Sequence, residues 1–376
     1  MACFAYGGCY MKIQTIDTIL VSLPYTTGGS ADAEAWGGRA WRTADTLLVK
    51  ITTDAGITGW GEAFGYNAIP ATRAAIEHML APLYVGKDPL QIEALSLEVQ
   101  QKLHIFGRGG PVIFGLSGID IALWDIAGKA AGKPVHHLLG GCRAAQLPCY
   151  ASLIRYTEPK LVAANTTRAL DQGFRHVKLH EIEVAPVRAA RAAAGDDVAI
   201  MLDVNCPWSL REALDMAEQL QPYNLRWLEE PVWPPENYAG LAHIRASAGI
   251  AIAAGENAAT LLHYQQMFEA QAVDFAQPSP TKMGGISELR KVFALAAANN
   301  VTVMPHSFYD GPGLLAALHV NAAFGVGSLV EWRFFDLEAR LYGNEGVPKN
   351  GSITVPMGPG LGFDPDPDVI ERYRVS

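Results

Sequence analysis

Positive charge is scarce in this chain. Its 376 residues hold 29 Lys and Arg against 38 Asp and Glu, a formal net charge of −9. No basic tract is present, which excludes nucleic acid and anionic membrane as expected partners. The acidic excess is an ordinary solubility feature and does not by itself point to a cationic substrate. Cysteine is scarce as well. Cys3, Cys9, Cys142, Cys149 and Cys206 form no CxxC and leave one thiol unpaired. That argues against a disulfide scaffold and for a reducing, cytoplasmic setting. The opening MACFAYGGCY lacks the basic region and long apolar core of a signal peptide. A cleaner segment starts at Met11, so residues 1–10 read as a disordered extension or an early start codon. No run supplies the roughly 18 apolar residues of a membrane span, so no membrane association is expected. A P-loop, a GxSxG elbow and an HExxH pair are missing too, and Gly107-Arg108-Gly109-Gly110 does not lead from a strand into a helix with dinucleotide spacing.

What remains is an ordinary globular composition, 49% hydrophobic and 18% charged, long enough for one or two domains with a large core. Residues 12–23 and 45–60 read as strands with a turn at Asp54-Ala55-Gly56, and 70–140 read as helical. The Gly-rich stretch 26–42 between the two strands reads as a long loop, either plain surface or a lid over a site. The first 140 residues therefore form an α+β unit. From about 146 the rhythm changes. PCYASL, HVKLH, AIMLD, RWLEE, AIAAGE, AVDFAQ, VTVMPH and SLVEW are eight short strand-like runs separated by helix-like stretches. Strand alternating with helix implies a parallel sheet, and eight repeats fit a closed α/β barrel of TIM type.

Asp203, Glu229 and Glu256 each stand at the end of one such run, 26 and 27 residues apart. Successive strand ends in a barrel point the same way, so the three carboxylates converge at its C-terminal mouth. Oxygen ligands of this kind suit a hard divalent cation such as Mg²⁺. Lys178 and His180 end the preceding run at i, i+2 and share one strand face. Near a metal ion the Lys pKa falls and the His becomes a usable base. His306 ends the seventh run and enters from the other side. Glu331 ends the eighth, where it either donates a hydrogen bond as a protonated acid or pairs with Arg333. Asn205 shares the face of Asp203 and holds a water or a supporting contact. Glu230 points away from its neighbour and should not ligate the same ion. Lys282 either neutralises part of the acid cluster or is a plain loop lysine.

The ordered set LDVN (202–205), LEEP (228–231), GEN (255–257), KMGG (282–285), PH (305–306) and VEW (330–332) resembles the enolase superfamily, in particular its mandelate racemase subgroup. GITGWGE (56–62) and GIDIALWDIAGK (118–129) resemble the first domain of that family. The resemblance implies a modified (β/α)7β barrel over roughly 141–345 and an α+β capping domain over 1–140, with 346–376 returning to the cap. It also implies Mg²⁺ held by Asp203, Glu229 and Glu256, a Lys or His base, and a homo-oligomer. Two departures stand out. The usual Lys-x-Lys is here Lys-x-His, and the Asp that commonly partners the histidine after strand seven is replaced by Ser279. A hydroxyl raises the pKa of His306 less than a carboxylate does, so His180 is expected to carry the larger share.

Such a site removes a proton next to a carboxylate, with the cation stabilising the enolate. The expected reaction is dehydration of a sugar acid to a 2-keto-3-deoxy acid, with Lys178, His180, His306 and Glu331 as catalytic groups. Two other readings remain: a racemase or epimerase of a small carboxylate, and a metabolite-binding relative without turnover. Trp36, Arg42 and Tyr66 are expected at the substrate, with Asn205, Ser279 and Lys282 beside them.

Overall fold

The computed structural model describes residues 11–29 and 42–375, so Trp36 lies outside the described residues. β-branched and aliphatic side chains form the first sheet. Strands β1 (Ile13–Thr26), β2 (Thr43–Thr53) and β3 (Thr58–Ala63) pair antiparallel in that order. Gly56, at φ +78°, makes the β2–β3 turn. Behind this sheet runs a helix over Pro111–Ala131, with Pro at its start and left-handed Gly132 at its end.

By length and composition this helix could cross a membrane, at a mean hydropathy of 1.4, which corrects the expectation that no run is apolar enough. It is a core helix instead, since 78% of its apolar window is buried in the protein. Its polar residues serve the interior. Asp125 accepts from the backbone N–H of Trp60 at 2.9 Å and of Leu361 at 2.8 Å. Asp120 accepts from Ser287 N–H at 3.1 Å, and Ser117 Oγ accepts from Gly284 N–H at 2.8 Å. The bonds to Leu361, Ser287 and Gly284 dock the helix on the barrel, and the bond to Trp60 ties it to its own sheet.

The second unit is a parallel barrel. Its strands are β4 (Gln146–Ser152), β5 (His176–Leu179), β6 (Ala199–Asp203), β7 (Leu225–Glu229), β8 (Ile252–Ala254), β9 (Phe275–Ala276), β10 (Thr302–Val303) and β11 (Val330–Arg333). They lie in the order β10-β9-β8-β7-β6-β5-β4-β11. Each of the eight expected runs is a strand, and a helix follows each of the first seven. The protein is thus an α/β barrel of (β/α)7β type with an antiparallel-sheet cap. Among the described residues no ladder joins β10 to β11. That seam is bridged instead by Leu329 N–H to Met304 Sδ at 3.2 Å and Ser307 N–H to Glu331 Oε2 at 3.1 Å. Tyr150, Met201, Trp227, Ala253, Met304 and Leu329 fill the barrel interior as a separate apolar cluster. This plug forms the floor on which the polar mouth rests.

The tail does not return to the cap as one piece. Asp336–Leu337 and Arg374–Val375 pair with β1, and Leu341 and Ile370 pack on Val21, Leu23 and Trp60. Ser352–Thr354 instead extends β4 antiparallel, and Ile353, Val355 and Leu361 join the barrel core. Apolar side chains on both sides of the 345 boundary therefore serve both units.

Gly61 faces Gly118 so closely that a Cβ on it would fall 1.8 Å from the Gly118 carbonyl oxygen. Backbone meets backbone there, so no rotamer change relieves the clash. Gly61→Ala is expected to destabilise the fold by about 2–3 kcal/mol. Urea unfolding followed by circular dichroism tests this, and an unchanged midpoint would show that β3 and the helix can separate freely.

Candidate active site

Asp203 closes β6, Glu229 closes β7, and Glu256 follows β8 by two residues. One carboxylate oxygen from each lies within 4.8 Å of the others. Gly255, at φ +130°, makes the turn that delivers Glu256. Its carbonyl accepts from Tyr264 OH at 2.6 Å, and a Cβ there would meet Gln277 N at 3.1 Å. Glu230 adopts a left-handed φ of +46°, and its carboxylate accepts from Asn257 Nδ2 at 2.9 and 3.0 Å. That turn separates two adjacent glutamates. Burial, then Glu256 and Asp203, pushes Glu230 up to about 8.

Lys178 is fully buried beneath the trio. Its Nζ lies 2.9 Å from Glu229 Oε1, 3.3 Å from Asp203 Oδ2 and 2.8 Å from Glu331 Oε1. Burial alone would favour the neutral amine, yet Glu229, Glu331, Tyr150 and Asp203 together hold its pKa well above the usual lysine value.

Glu331 departs from expectation. Its carboxylate accepts from Lys178, from Ser152 Oγ at 2.9 Å and from the Ser307 backbone N–H at 3.1 Å. Burial raises its pKa, but Lys178 and His306 outweigh that and hold it at about 2. It is an ionised acceptor, not a protonated donor. Arg333 does not pair with it either. Arg333 bonds Asp310 at 2.8 Å and the Phe308 carbonyl at 2.6 Å, with its guanidinium 4.6 Å from the Phe308 ring.

Two histidines reach the acids from different sides. His180 follows β5, with Nε2 3.2 Å from Asp203 Oδ2 and Nδ1 on the Leu153 carbonyl. His306 follows β10, with Nε2 3.1 Å from Glu256 Oε2 and Nδ1 3.2 Å from Tyr309 OH. Burial lowers the pKa of His306, with Glu256 and Glu331 opposing. Ser279 bonds Tyr309 OH, which in turn lies 3.2 Å from His306 Nδ1. Lys282 is 3.3 Å from Glu256 Oε1 and 3.2 Å from Asn257 Oδ1, over the Phe64 ring. It acts as a counter-charge, and with His306 it holds Glu256 below the usual carboxylate range against the effect of burial.

The remaining candidates divide. Asn205 donates its backbone N–H to Asp203 Oδ1 at 3.0 Å, and its buried Oδ1 has no hydrogen-bond partner. Tyr66 lies near the centre: burial raises its pKa, with Arg333, Glu256 and Glu331 among its charged neighbours. Arg42 is exposed at the start of β2, where its carbonyl accepts from Tyr25 N–H. Sequence reasoning missed Tyr309, Ser152, Ser307 and Trp227, whose Nε1 donates to Glu229 Oε2 at 2.8 Å. Strand periodicity held a signal for Trp227, which precedes Glu229 by two residues.

The acid set suits a divalent cation. Burial and the nearness of Asp203 push Glu229 well above the usual carboxylate range, while Lys178 only partly compensates. A second cation among these oxygens removes that repulsion. Residues 161–369 match the family model described as enolase C-terminal domain-like, and residues 37–140 match the mandelate racemase/muconate lactonizing enzyme N-terminal domain. The chain belongs to the mandelate racemase/muconate lactonizing enzyme family.

The chain is 32% identical to arabinonate dehydratase of Saccharolobus solfataricus, covering 91% of this chain and 94% of that one. It is 31% identical to D-galactarolactone cycloisomerase of Agrobacterium fabrum, covering 97% and 99%. The crystal structure of the 3,6-anhydro-D-galactonate cycloisomerase from Zobellia galactanivorans superposes with a TM-score of 0.85 at 30% identity, covering 97% and 100%.

The acid centre makes a binding prediction. After chelator treatment, magnesium chloride at about 100 times its Kd is expected to stabilise the fold by about 2.7 kcal/mol. Glu256→Gln is expected to abolish that shift and leave the far-UV spectrum intact. Thermal unfolding across a magnesium series reads both, and an equal shift in the variant would remove Glu256 from the ligand set.

Proposed function

We propose that this protein is a Mg²⁺-dependent lyase that dehydrates a sugar acid to a 2-keto-3-deoxy acid. The carrying observation is that Asp203, Glu229 and Glu256 converge beside Lys178, with a histidine on each side. The carboxylate oxygens supply hard ligands for the ion, and bound Mg²⁺ supplies charge stabilisation for the enolate. Lys178, fixed by three carboxylates, adds positive charge in the same place. His180 is the proposed base for the α-proton, since its Nε2 faces the centre. Trp227 and Ser152 hold Glu229 and Glu331 in place, so the acids need not reorganise as charge develops.

A second reading is an isomerase. The cycloisomerase relatives favour it, because removing an α-proton and expelling a ring oxygen opens a ring without losing water. Racemisation or epimerisation is a third form of the same chemistry and needs a competent base on each face. His306, on the other side of the trio from His180, is the only feature that favours it among the groups described.

Incubation with a library of sugar acids, assayed for 2-keto acid, tests the main reading. His180→Asn is expected to lower turnover and α-proton exchange in D₂O by about 10²–10⁴-fold. An unchanged exchange rate would transfer the base role to Lys178 or His306. Exchange without loss of water, for every acid, would favour the racemase.

A further inference from the structure

Gln277 follows β9 and is fully buried, and neither its Nε2 nor its Oε1 has a hydrogen-bond partner among the described residues. A buried amide that bonds nothing has given up water at both ends without return. Its place in the barrel says what it faces. A closed barrel fills its interior in layers, four side chains at a time from alternate strands. Trp227, Phe275 and Leu329, on or beside β7, β9 and β11, pack in the interior apolar cluster. Two residues further along come Glu229, Gln277 and Glu331, which share the inward face by the period of two. Lys178 of β5 completes that layer, 2.9 Å from Glu229 and 2.8 Å from Glu331. Gln277 is thus the fourth member of the ring beneath the acid centre, and the one member with nothing to bond. The ring cannot serve it. Glu229 accepts from Lys178 and Trp227, and Glu331 from Lys178, Ser152 and Ser307. Nor can the flanking strands. Ala254 takes the Gln277 backbone N–H, Gly255 has no side chain, and Met304 offers only a thioether, which already accepts from Leu329 N–H.

We infer that Gln277 contacts the substrate and recognises an α-hydroxy carboxylate, its Nε2 donating to a carboxylate oxygen and its Oε1 accepting from the α-hydroxyl. The inference rests on the lyase reading above and deepens it by naming the part of the acid that the ring reads. An amide holds a donor and an acceptor side by side in one plane. An α-hydroxy acid holds an acceptor and a donor on adjacent carbons, so the two match end to end. A bare carboxylate satisfies Nε2 alone, and an amino group satisfies Oε1 alone. The position also suits the chemistry. Lys178 brings the ring's positive charge, and Gln277 brings a neutral donor from another strand, so the carboxylate is held from two sides as it gains charge. A donor fixed by burial needs no reorganisation at that moment.

Gln277→Met keeps the length of the side chain and removes both polar atoms, and two measurements on it test the inference. The first is urea unfolding without any organic acid. An amide whose partner is the substrate adds nothing to the fold, so the variant is expected to unfold at a urea concentration no lower than the wild type does. A lower midpoint would show that the amide is bonded inside the protein and would overturn the inference. The second is calorimetric titration of magnesium-loaded protein with tartronate, which has a hydroxyl beside its carboxylate and no β-hydroxyl to lose. The variant is expected to bind tartronate about 10-fold more weakly than the wild type, and to lose less affinity for malonate, which lacks the hydroxyl. Its magnesium affinity is expected to stay within about twofold. Equal tartronate affinity in the two proteins, or no tartronate binding by the wild type, would overturn the inference. A variant that loses magnesium instead would place Gln277 with the cation and overturn it too. Turnover decides the other question. If no sugar acid is dehydrated while tartronate binding still depends on Gln277, the lyase reading falls and the recognition of an α-hydroxy carboxylate stands.

Discussion

The constraint that organises this protein is the crowding of carboxylates over one buried lysine. Asp203, Glu229 and Glu331 all reach Lys178 within 3.3 Å in a mouth closed from below by apolar side chains. Water cannot screen them there, so each acid is held by fixed donors: Trp227 for Glu229, Ser152 and Ser307 for Glu331, and the Asn205 backbone for Asp203. A buried charge without partners is expensive, and a set with more acids than bases stays incompletely compensated. The rest of the design follows. A parallel barrel aims several strand ends at one point, the Gly-lined contact holds β3 against the 111–131 helix, and Ser117 of that helix accepts from Gly284 of the barrel. The rigidity needed to keep like charges together is then available to hold a cation and a developing enolate.

Much of this was legible because strand geometry is periodic. Asp203, Glu229 and Glu256 stand one strand-helix repeat apart, so spacing alone brought them to one mouth. Lys178 and His180 share a face by the same period of two. The eight strand runs are equally visible, since a buried parallel strand reads as an unbroken apolar run. What spacing could not tell was which partner each charge would find. Glu331 and Arg333 are two residues apart, yet they part company, one toward Lys178 and the other toward Asp310. That choice is made by side chains from distant segments, and so is the ionised state of Glu331. The tail escaped for a related reason. Ile353 and Leu341 are similar apolar residues, and only the faces open on each unit decide that one joins the barrel core and the other the cap.

Tyr309 shows the limit most clearly. It sits in the loop between β10 and the 312–324 helix, where neither period applies. Its position three residues after His306 suggests nothing in an irregular segment, and its hydroxyl acquires meaning only when Ser279 arrives from the loop after β9. The replacement of Asp by Ser at 279 was visible, but it first reads as a simple weakening of His306. In three dimensions the serine hydroxyl meets Tyr309 rather than the histidine ring. It bonds the Tyr309 hydroxyl, which also lies 3.2 Å from His306 Nδ1.

This separates two questions that the family's varied reactions tend to merge. On the proposed reading, removal of the α-proton falls to the acids, the lysine and the histidines, all carried by strand ends and the turns just beyond them. What happens next depends on the other bond of the departing oxygen. If that oxygen ends in hydrogen it leaves as water; if it closes a ring it stays attached and the product is an isomer. The centre treats both alike, since each needs charge stabilised on a carboxylate and a proton supplied to the oxygen. Discrimination must come from whatever grips the remainder of the substrate. Relatives of nearly equal similarity accordingly carry dehydratase and cycloisomerase names.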